Sequence, residues 1–559
     1  MRSFLTIMSL ALLVLASACK QNKQDTAEMQ EVDQETKAHV PFDWRGANVY
    51  FLLTDRFNNG DTTNDVNFNR TNETAVLRGF EGGDIKGVTQ KIEEGYFDEL
   101  GVQAIWMTPI VEQVHDGTDE GTGYTYAYHG YWTKDWTAMD PNFGTEEDLA
   151  QLVKTAHQHG IRILLDAVIN HTGPVTETDT VWPEDWVRTG PKCTYESYDT
   201  TIRCTLVENL PDILTESNEA VELPPMLVEK WKAEGRYEQE VAELDAFFEK
   251  TGYPRAPRFY IMKWLSDYIT DYGIDGYRVD TVRHTEEYVW EEFEDVCQWA
   301  FADWKTAHPE VVLDNNPFYL VGEIYGYKVS EGQFSDFGDK KVDYFNDSFS
   351  ALINFDLRSS ADRSYEEVFS TYSDLLQNEL AGFGTMSYLT SHDDNSPFDK
   401  PREKTFEAAN RLLLAPGASQ LYYGDELARP LIIEGTNGDA TLRSFMNWED
   451  MDKPETQALL SHYRKLGQFR RDHPAVGAGV HRLISEEPYT FSRIYKTPGF
   501  EETVLVALDG PEGVKTIVVG TAFADGTELI DSYSEQSATV VDGKVTIDSP
   551  HTLALLAKK

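Results

Sequence analysis

The chain is 559 residues long and has a formal net charge of −46, because 95 Asp and Glu outnumber 49 Lys and Arg. This length exceeds what one hydrophobic core usually supports and predicts two or three domains, one of them large. The negative charge disfavours nucleic acids and anionic membrane surfaces as partners and favours a neutral or cationic ligand. The 12 Trp and 28 Tyr supply aromatic faces on which apolar ring surfaces can stack.

The first residues have the features of an export signal. Arg2 precedes an apolar run at residues 10–16, which is too short to span a bilayer. The run ends at small residues and Cys19, and this resembles a bacterial lipoprotein signal. We therefore expect removal of residues 1–18 and acylation of the Cys19 thiol, with an ordinary secretory peptide as the alternative. The polar residues 19–42 are then expected to form a flexible tether.

From residue 48 onwards, short apolar strand candidates alternate with amphipathic helices. The strand candidates are NVYFLLTD (48–55), AIWMTP (104–109), RILLDAVIN (162–170), GYRVD (276–280), YLVGEI (319–324), ALINFDL (351–357), MSYLTSHD (386–393) and SQLYYGD (419–425). One helix is predicted from a capping residue, Thr145, to Gly160, with leucine and valine on one face. Eight strands, each followed by a helix, predict a (β/α)8 TIM barrel over residues 43–170 and 256–472.

Two regions depart from this alternation. The connection after the third strand is too long for the pattern and rich in Pro, Glu and Thr, which predicts a small inserted domain at residues 171–255. This insertion should form a wall of the active-site cleft. After residue 473, short strands such as TVLVALDG and VKTIVVG alternate with Gly and Asp turns, which predicts a C-terminal antiparallel β-sandwich over 473–559.

The cysteines indicate a disulfide more than a metal site. An exported chain meets an oxidising compartment, which permits a disulfide between the near neighbours Cys193 and Cys204. Cys297 lies in a helical pattern and is expected to be a buried thiol. The sequence contains no CxxC or HExxH pattern, so zinc chemistry has little support.

Polar side chains recur at the carboxyl ends of the predicted strands, where barrels of this kind place their active sites. A lone acid at a strand end is commonly a cap for the next helix, but repetition over several strands favours a shared site. Converging carboxylates with His and Arg, without a Ser/His/Asp triad or a phosphate loop, suit acid–base chemistry on a neutral polyol. The residues are Asp166, Asn170 and His171 at the end of strand three, Arg278 and Asp280 at the end of strand four, Glu323 at the end of strand five, and His392 and Asp393 at the end of strand seven.

Asp280 and Glu323, on adjacent strands, supply the two carboxyl groups that glycoside hydrolysis requires. A separation of about 5–5.5 Å between the two carboxyl groups would make the reaction a retaining one with a covalent glycosyl-enzyme. Arg278 shares a strand face with Asp280 and is expected to keep that carboxylate ionised while Glu323 stays protonated. A purely structural ion pair is the alternative interpretation of Arg278. Asp393 would then hold sugar hydroxyls and favour the transition state.

Several segments in family order resemble the α-amylase family of glycoside hydrolases. DAVINH (166–171), DGYRVDTVRH (275–284), GEI (322–324) and SHD (391–393) are similar to its four signature segments. GVQAIWMTP, AYHGYW, LPDI and PGASQLYYGDE also match, and the resemblance is greatest to the bacterial periplasmic α-amylases. It implies an endo-acting, retaining enzyme that hydrolyses α-1,4-glucosidic bonds in starch, glycogen or maltooligosaccharides.

The resemblance also assigns roles to individual residues. It implies that Asp280 is the nucleophile, Glu323 the general acid/base and Asp393 the transition-state stabiliser. Ser391 replaces the asparagine that is usual before the His-Asp pair, which leaves the local hydrogen bonding open. The implied substrate-binding residues are Tyr131, Trp132, His171, Arg278, Arg283, His284 and His392. Tyr131 would stack on the sugar, the alternative being a tyrosine of the core.

Calcium is the implied cofactor, at two sites. In the family, one ion joins the inserted domain to the barrel, and the matching positions are Asn170, Asp212 and the backbone carbonyl of His284. These groups offer the oxygen ligands that calcium prefers. NNGDTTND and EGGD resemble the N-terminal calcium loop of the cyclodextrin-forming relatives, although such a run can also be only a turn. The matching positions of this second site are Asn59, Asp61, Asn64, Asp65, Gly82 and Asp84.

Two alternatives remain open at the level of sequence. A 4-α-glucan transferase or cyclodextrin-forming transglycosylase of the same fold would pass the glycosyl group to a sugar, but a single terminal β-sandwich favours hydrolysis. A non-catalytic glycan-binding lipoprotein should lack part of the acid trio, which is complete here. We expect a monomer that binds α-glucan and no nucleic acid. It is expected to touch the membrane only through its lipid anchor and to face the periplasm or the cell surface.

Overall fold

Eight parallel strands close into a barrel in a computed structural model that describes residues 40–346 and 348–559. The barrel strands are β1 (Asn48–Leu52), β2 (Ala104–Met107), β3 (Arg162–Ala167), β4 (Gly276–Val279), β5 (Tyr319–Gly322), β6 (Ala351–Asn354), β7 (Gly384–Tyr388) and β8 (Ala418–Tyr422). β1 pairs with both β2 and β8, which closes the sheet. The predicted TIM barrel is therefore confirmed.

Most of the helices follow barrel strands, and two of them belong to the insertion after β3. α2 begins at Thr145, whose side chain accepts a hydrogen bond from the Asp148 N–H in a reciprocal capping box, as its sequence predicts. Its Leu149 and Leu152 are buried against the sheet side. The main helices are α1 (Ile85–Glu93), α2 (Glu146–Gln158), α3 (Pro225–Glu234), α4 (Tyr237–Thr251), α5 (Pro257–Tyr272), α6 (Glu287–Ala307), α7 (Tyr365–Gln377), α8 (Thr405–Leu413) and α9 (Pro454–Asp472).

The connection between β5 and β6 contains no α-helix within the described residues 323–346 and 348–350. It forms a 3-10 turn (Val329–Glu331) and a hairpin of two short strands (Phe334–Asp336 and Lys341–Asp343). The prediction that every strand is followed by a helix is wrong at this point. The segment lacks a helical apolar stripe, and Gly332 and Gly338 adopt positive φ angles that interrupt a helix.

The chain leaves the barrel after β3 and returns at α5. In this insertion Val187–Arg188 pairs with Asp212–Ile213, and Cys193 forms a disulfide with Cys204. Helices α3 and α4 follow. Cys297 lies in α6 as a buried free thiol. The insertion therefore has secondary structure of its own, held by a covalent cross-link.

The predicted C-terminal antiparallel domain is present. Its strands are β9 (Val480–Glu486), β10 (Tyr489–Thr497), β11 (Phe500–Leu508), β12 (Gly513–Val518), β13 (Glu528–Asp531), β14 (Gln536–Thr539), β15 (Lys544–Ser549) and β16 (Ala554–Lys558). Six strands form one sheet in the order β9-β10-β11-β16-β13-β14, and β12 pairs with β15. Leu505, Ile517, Val545 and Leu556 belong to a separate apolar core of this domain.

Two predicted features lie outside the described residues: the signal peptide with Cys19, and the tether up to residue 39. In the part of the chain that the structure describes, none of the helices combines the length and apolar character needed to cross a membrane.

Two buried arginine side chains bind backbone carbonyls at the end of the barrel that lies next to the C-terminal domain. Arg470, on α9, donates hydrogen bonds to the backbone carbonyls of Gly46, Leu413 and Ala415, each at 3.0 Å. Arg493, on β10, donates to the Leu414 carbonyl at 2.6 Å. Carbonyls buried without a donor cost free energy, so Arg470 bridges barrel elements to one another and Arg493 bridges the barrel to β10.

Replacement of Arg470 by methionine is expected to lower the free energy of unfolding by about 3 kcal/mol, because it leaves several buried carbonyls without a donor. Urea-induced unfolding followed by tryptophan fluorescence measures this change. The matched control is Arg482→Met at an exposed position of β9, which should change the value little. Equal effects of the two substitutions would contradict the bridging role.

Candidate active site

The guanidinium of Arg278 is the centre of a buried cluster of carboxyl groups at the carboxyl end of the barrel. Arg278 is 1% exposed. Its Nη1 donates to Asp166 Oδ1 at 3.0 Å and to Asp280 Oδ1 at 2.7 Å, and its Nη2 lies 3.3 Å from Glu323 Oε2. The parallel register places Arg278 beside Asp166, which explains the first contact. One cation is thus shared by three acids from three neighbouring strands.

Asp166 is a site residue to which sequence analysis gave no role. Its Oδ2 accepts hydrogen bonds from the Tyr131 hydroxyl at 2.8 Å and the Trp106 indole N–H at 3.1 Å. Burial raises the pKa of Asp166 to about 7, and the Asp280 charge acts in the same direction. Its place at the end of predicted strand three made it a candidate site residue, but the sequence did not show its partners. Asp166 therefore orients Arg278 and Tyr131 through these hydrogen bonds.

Glu323 lies in surroundings that favour its protonated form. Burial raises the pKa of Glu323 to about 8. The neighbouring carboxylates Asp280 and Asp393 act in the same direction, and the Arg278 charge opposes them without cancelling the effect. The Thr281 N–H donates to Glu323 Oε2 at 3.0 Å, which also opposes the increase. At neutral pH this carboxyl group is therefore ready to donate a proton.

Asp393 follows β7 near Glu323, whose pKa its charge raises, and its side chain is 29% exposed. The Ser391 hydroxyl donates to Asp393 Oδ1 at 3.1 Å. The serine that departs from the family pattern thus holds the aspartate by a direct hydrogen bond. A carboxylate fixed in this way is open to a ligand on its remaining side.

Tyr131, His171 and His392 form one wall of the site. The Tyr131 ring stacks on the His392 ring with a centroid distance of 5.3 Å, and His171 Nε2 lies 3.2 Å from the Tyr131 carbonyl oxygen. Burial lowers the pKa of both histidines, which keeps them neutral near pH 7. Neutral imidazoles can donate to or accept from sugar hydroxyls. The half-buried Tyr131 combines a packing contact with a position at the site, so its two predicted roles are not exclusive.

The other predicted binding residues contact the insertion, the hairpin after β5 or an apolar cluster. The Arg283 guanidinium donates to the Asp336 carbonyl at 3.0 Å, and His284 Nδ1 lies 2.9 Å from the Thr201 carbonyl oxygen. Both therefore face the insertion and the hairpin after β5. Trp132 is only 6% exposed and packs among Val114, Ala127 and Leu210. These contacts account for its burial, and its predicted substrate contact stays a prediction.

The residues of the first predicted calcium site lie where the insertion contacts the segment after β3. Asp212 is buried, and its Oδ1 atom has no hydrogen-bond partner, while its Oδ2 lies 2.8 Å from Arg188 Nε. The Asn170 carbonyl accepts from the Ile213 N–H beside it. An orphaned carboxylate oxygen next to an asparagine is the donor chemistry that Ca²⁺ uses, so these residues fit the ion.

In the second predicted calcium site, some residues have unpaired oxygen atoms and others already have partners. Asn59 and Asn64 each have a buried side-chain oxygen without a partner. A Cβ at Gly82 would lie 2.6 Å from Asp65 Oδ1, so only glycine leaves space there. These positions fit a cation. Asp61 forms an ion pair with Lys86 at 2.7 Å and Asp84 caps α1 through the Gly87 N–H, and the ligand role of these two residues stays a prediction.

Among the described residues no three His, Cys, Asp or Glu side chains are grouped so that they could hold a metal ion. Both predicted sets therefore depend on amide and backbone oxygens in addition to carboxylates. Oxygen ligands of this kind suit calcium better than zinc or another transition metal.

Comparisons with known proteins give a consistent result. The family model "Alpha amylase, catalytic domain" matches residues 51–473. The periplasmic alpha-amylase of Escherichia coli (strain K12) is 36% identical over 517 residues, which cover 82% of this chain and 72% of that protein. A cyclomaltodextrin glucanotransferase of Geobacillus stearothermophilus is 26% identical over 89% of this chain and 63% of its own length. The solved alpha-amylase of Geobacillus thermoleovorans shares the fold, with a TM-score of 0.63 and 23% identity over 93% of this chain and 99% of that one.

The carboxyl group of Glu323 is expected to titrate near pH 8 because burial disfavours its charged form. Infrared difference spectra of the wild type and Glu323→Gln over a pH series measure this midpoint. A midpoint near that of an exposed glutamate would contradict the burial argument. Asp393→Asn is the matched comparison: removal of this neighbouring negative charge should lower the pKa of Glu323.

Proposed function

The chain belongs to the alpha-amylase family and is a starch-hydrolysing glycoside hydrolase, and we propose that it acts as an endo-acting, retaining α-amylase on α-1,4-glucosidic bonds. The observation that carries this proposal is the shared contact of Arg278 with Asp280 and Glu323. One guanidinium lies against two acids, and desolvation keeps one of them protonated. Glycoside hydrolysis needs this combination of an attacking carboxylate and a proton donor.

The proposed first step breaks the glycosidic bond. Glu323 donates its proton to the glycosidic oxygen, and Asp280 attacks the anomeric carbon, which forms a covalent glycosyl-enzyme and releases the leaving sugar as an alcohol. In the second step Glu323, now ionised, removes a proton from water. The resulting hydroxide attacks the anomeric carbon and releases Asp280 as a carboxylate. Two displacements at one carbon restore the α configuration.

The remaining site residues bind the sugar on the non-reducing side of the bond. Asp393, held by Ser391, accepts hydrogen bonds from sugar hydroxyls and stabilises the positive charge of the oxocarbenium-like transition state. His171 and His392 are neutral, so they bind hydroxyls without repelling Arg278. Tyr131 offers its ring to the sugar and is fixed by its hydrogen bond to Asp166.

Transfer of the glycosyl group to a sugar is the alternative to hydrolysis, and it differs only in the acceptor. The 26% identity with a cyclomaltodextrin glucanotransferase keeps this alternative open. The 36% identity with a periplasmic alpha-amylase supports water as the acceptor. Loss of catalysis in a glycan-binding lipoprotein is disfavoured because Asp280, Glu323 and Asp393 are all present.

Calcium binding and export belong to the same proposal. Asn170, Asp212 and the His284 carbonyl would hold one Ca²⁺. Asn59, Asp61, Asn64, Asp65, Gly82 and Asp84 would hold a second. The ions would lock the insertion and the residue 59–65 loop to the barrel and take no part in bond breaking. The relative in Escherichia coli is periplasmic, which supports export of this chain. Lipid attachment at Cys19 and a monomeric state complete the proposal.

Incubation of the purified protein with amylose is expected to yield linear maltooligosaccharides that carry the α anomer at the new reducing end. NMR of the anomeric protons and chromatography of product size follow the reaction directly. Initial β anomers would contradict a retaining α-glucanase. Cyclic or elongated products at early times would identify the transferase instead.

Glu323→Gln is the matched control for that assay, because it keeps the shape of the side chain and removes the proton. The rate is expected to fall by about 10³-fold or more while maltooligosaccharide binding, measured by calorimetry, persists. Near-normal turnover would mean that another group is the acid.

Removal of calcium with a chelator is expected to lower the melting temperature, since a ligand that binds only the folded state stabilises it. Calorimetric melting curves before and after chelation measure the effect, and added Ca²⁺ but not Mg²⁺ should restore the original curve. An Asp65→Ala variant should lose part of the response. An identical curve in metal-free buffer would contradict both sites.

A further inference from the structure

Residues 193–204 form a closed loop in the insertion, here called the disulfide loop. The bond between Cys193 and Cys204 joins its ends. Inside it, the Thr200 hydroxyl oxygen accepts from the N–H groups of Glu196 and Ser197, at 3.1 and 2.9 Å. These contacts fix the backbone on either side of Tyr198. The loop therefore presents Tyr198 in one orientation.

Tyr198 connects the disulfide loop to the hairpin of residues 334–343, here called the β5–β6 hairpin. The Tyr198 N–H donates to Asp339 Oδ1 at 2.8 Å, and the ring lies edge-on to Phe337 with a centroid distance of 5.1 Å. Lys340 Nζ lies 3.9 Å from the centre of the same ring. The Tyr198 hydroxyl and Lys340 both contact the carboxylate of Glu287, at the start of α6. The backbone and ring of Tyr198 thus contact the β5–β6 hairpin, and its hydroxyl contacts α6.

The disulfide loop and the β5–β6 hairpin both contact the short turn Val282–His284, which follows the proposed nucleophile, Asp280. Arg283 contacts the hairpin through the Asp336 carbonyl and through the Phe337 ring, whose centre lies 4.7 Å from the guanidinium carbon. His284 contacts the disulfide loop through the Thr201 carbonyl. Tyr198 touches both contacts, because its ring packs on Phe337 and its carbonyl accepts from the Thr201 N–H at 3.0 Å. Its removal would therefore loosen both supports of the turn.

The backbone at the start of this turn positions the proposed acid, Glu323. Thr281 precedes it in a left-handed conformation with φ of +48°, which is unfavourable for a β-branched residue and persists only where its surroundings fix it. In this conformation the Thr281 N–H points at Glu323 Oε2, at 3.0 Å, and the Val282 N–H donates to the Glu323 carbonyl at 3.0 Å. Glu323 is therefore held by the backbone of the segment that carries Asp280.

We propose that Tyr198 is a positioning residue for the hydrolysis, which clasps the disulfide loop to the β5–β6 hairpin so that the turn at 282–284 keeps Glu323 aligned with Asp280. It does not touch the reacting atoms. It acts through Arg283, His284 and Thr281. This inference rests on the proposed function, since it concerns the alignment of the proposed acid and nucleophile.

The test compares Tyr198→Ala with Tyr198→Phe on amylose, with kcat, KM and the pH profile as readouts. Loss of the clasp is expected to lower kcat about tenfold, which corresponds to about 1.4 kcal/mol. The alkaline limb of the kcat/KM profile should also move to higher pH, because a looser Thr281 N–H no longer opposes the raised pKa of Glu323. The other charged groups that face Glu323, namely Arg278, Asp280 and Asp393, remain in place. Tyr198→Phe keeps the ring and the backbone contact and should stay within about threefold of wild type.

Two further variants make the outcome decisive. Tyr253→Ala removes a tyrosine ring that stacks on Phe259, outside the clasp and the proposed site, and should leave the alkaline limb in place. Asp339→Ala removes the partner of the Tyr198 N–H at an exposed position, so it tests the clasp even if Tyr198→Ala does not fold. Asp339→Ala should also move the alkaline limb of the kcat/KM profile to higher pH.

Each result separates the clasp from the proposed function. A wild type without activity on amylose would overturn the proposed function and, with it, this inference. An active wild type with unchanged kcat and alkaline limb in Tyr198→Ala and Asp339→Ala would overturn the positioning role alone. A fall in stability without a shift of the limb would also overturn it, since a merely structural residue has that effect.

Discussion

Arg278 places a full positive charge inside the barrel, where loss of hydration costs several kcal/mol unless carboxylates and hydrogen bonds replace the water. Asp166, Asp280 and Glu323 supply that replacement from three neighbouring strands. Each acid is in turn expensive to bury without Arg278. The cluster is therefore mutually dependent, and the register of the three strands must place all its members at one level of the barrel.

Unequal contact with Arg278 distinguishes the two acids of this cluster. Burial raises the pKa of Glu323 to about 8, although Arg278 lies beside it. Asp280 takes the shorter contact with Arg278, at 2.7 Å against 3.3 Å for Glu323. The same cation thus stabilises one carboxylate closely and leaves the other to the effect of desolvation. Two acids of similar chemistry acquire the roles of nucleophile and proton donor in this way.

The site is completed by segments that do not belong to the regular barrel. The insertion after β3 and the hairpin after β5 both contact the turn next to Asp280, through His284 and Arg283. A barrel provides a rigid floor at its strand ends, whereas loops vary in length and can form walls. In this chain the walls are also fixed by a disulfide and by Tyr198. Their geometry therefore bears on the alignment of the acids as well as on substrate access.

The sequence determined the barrel, the C-terminal antiparallel domain and the candidate acids, because these leave local marks: apolar runs at strand spacing, capped amphipathic helices and polar residues at strand ends. It also determined the family, through segments that resemble known motifs. The helix predicted between β5 and β6 was wrong, since that prediction rested on the overall alternation of strands and helices. Glycines with positive φ angles interrupt a helix in this segment.

Only the tertiary structure decided which residues meet. Asp166 joins Arg278 and Tyr131 across strands that are far apart in the chain, and Trp132 turns inward to an apolar cluster although its neighbour Tyr131 faces the site. The contact of Tyr198 with the β5–β6 hairpin joins segments more than a hundred residues apart, at a separation of 141 between Tyr198 and Asp339. Such pairings depend on register, burial and loop packing. These quantities are properties of the folded chain as a whole, and no local pattern of residue types records them.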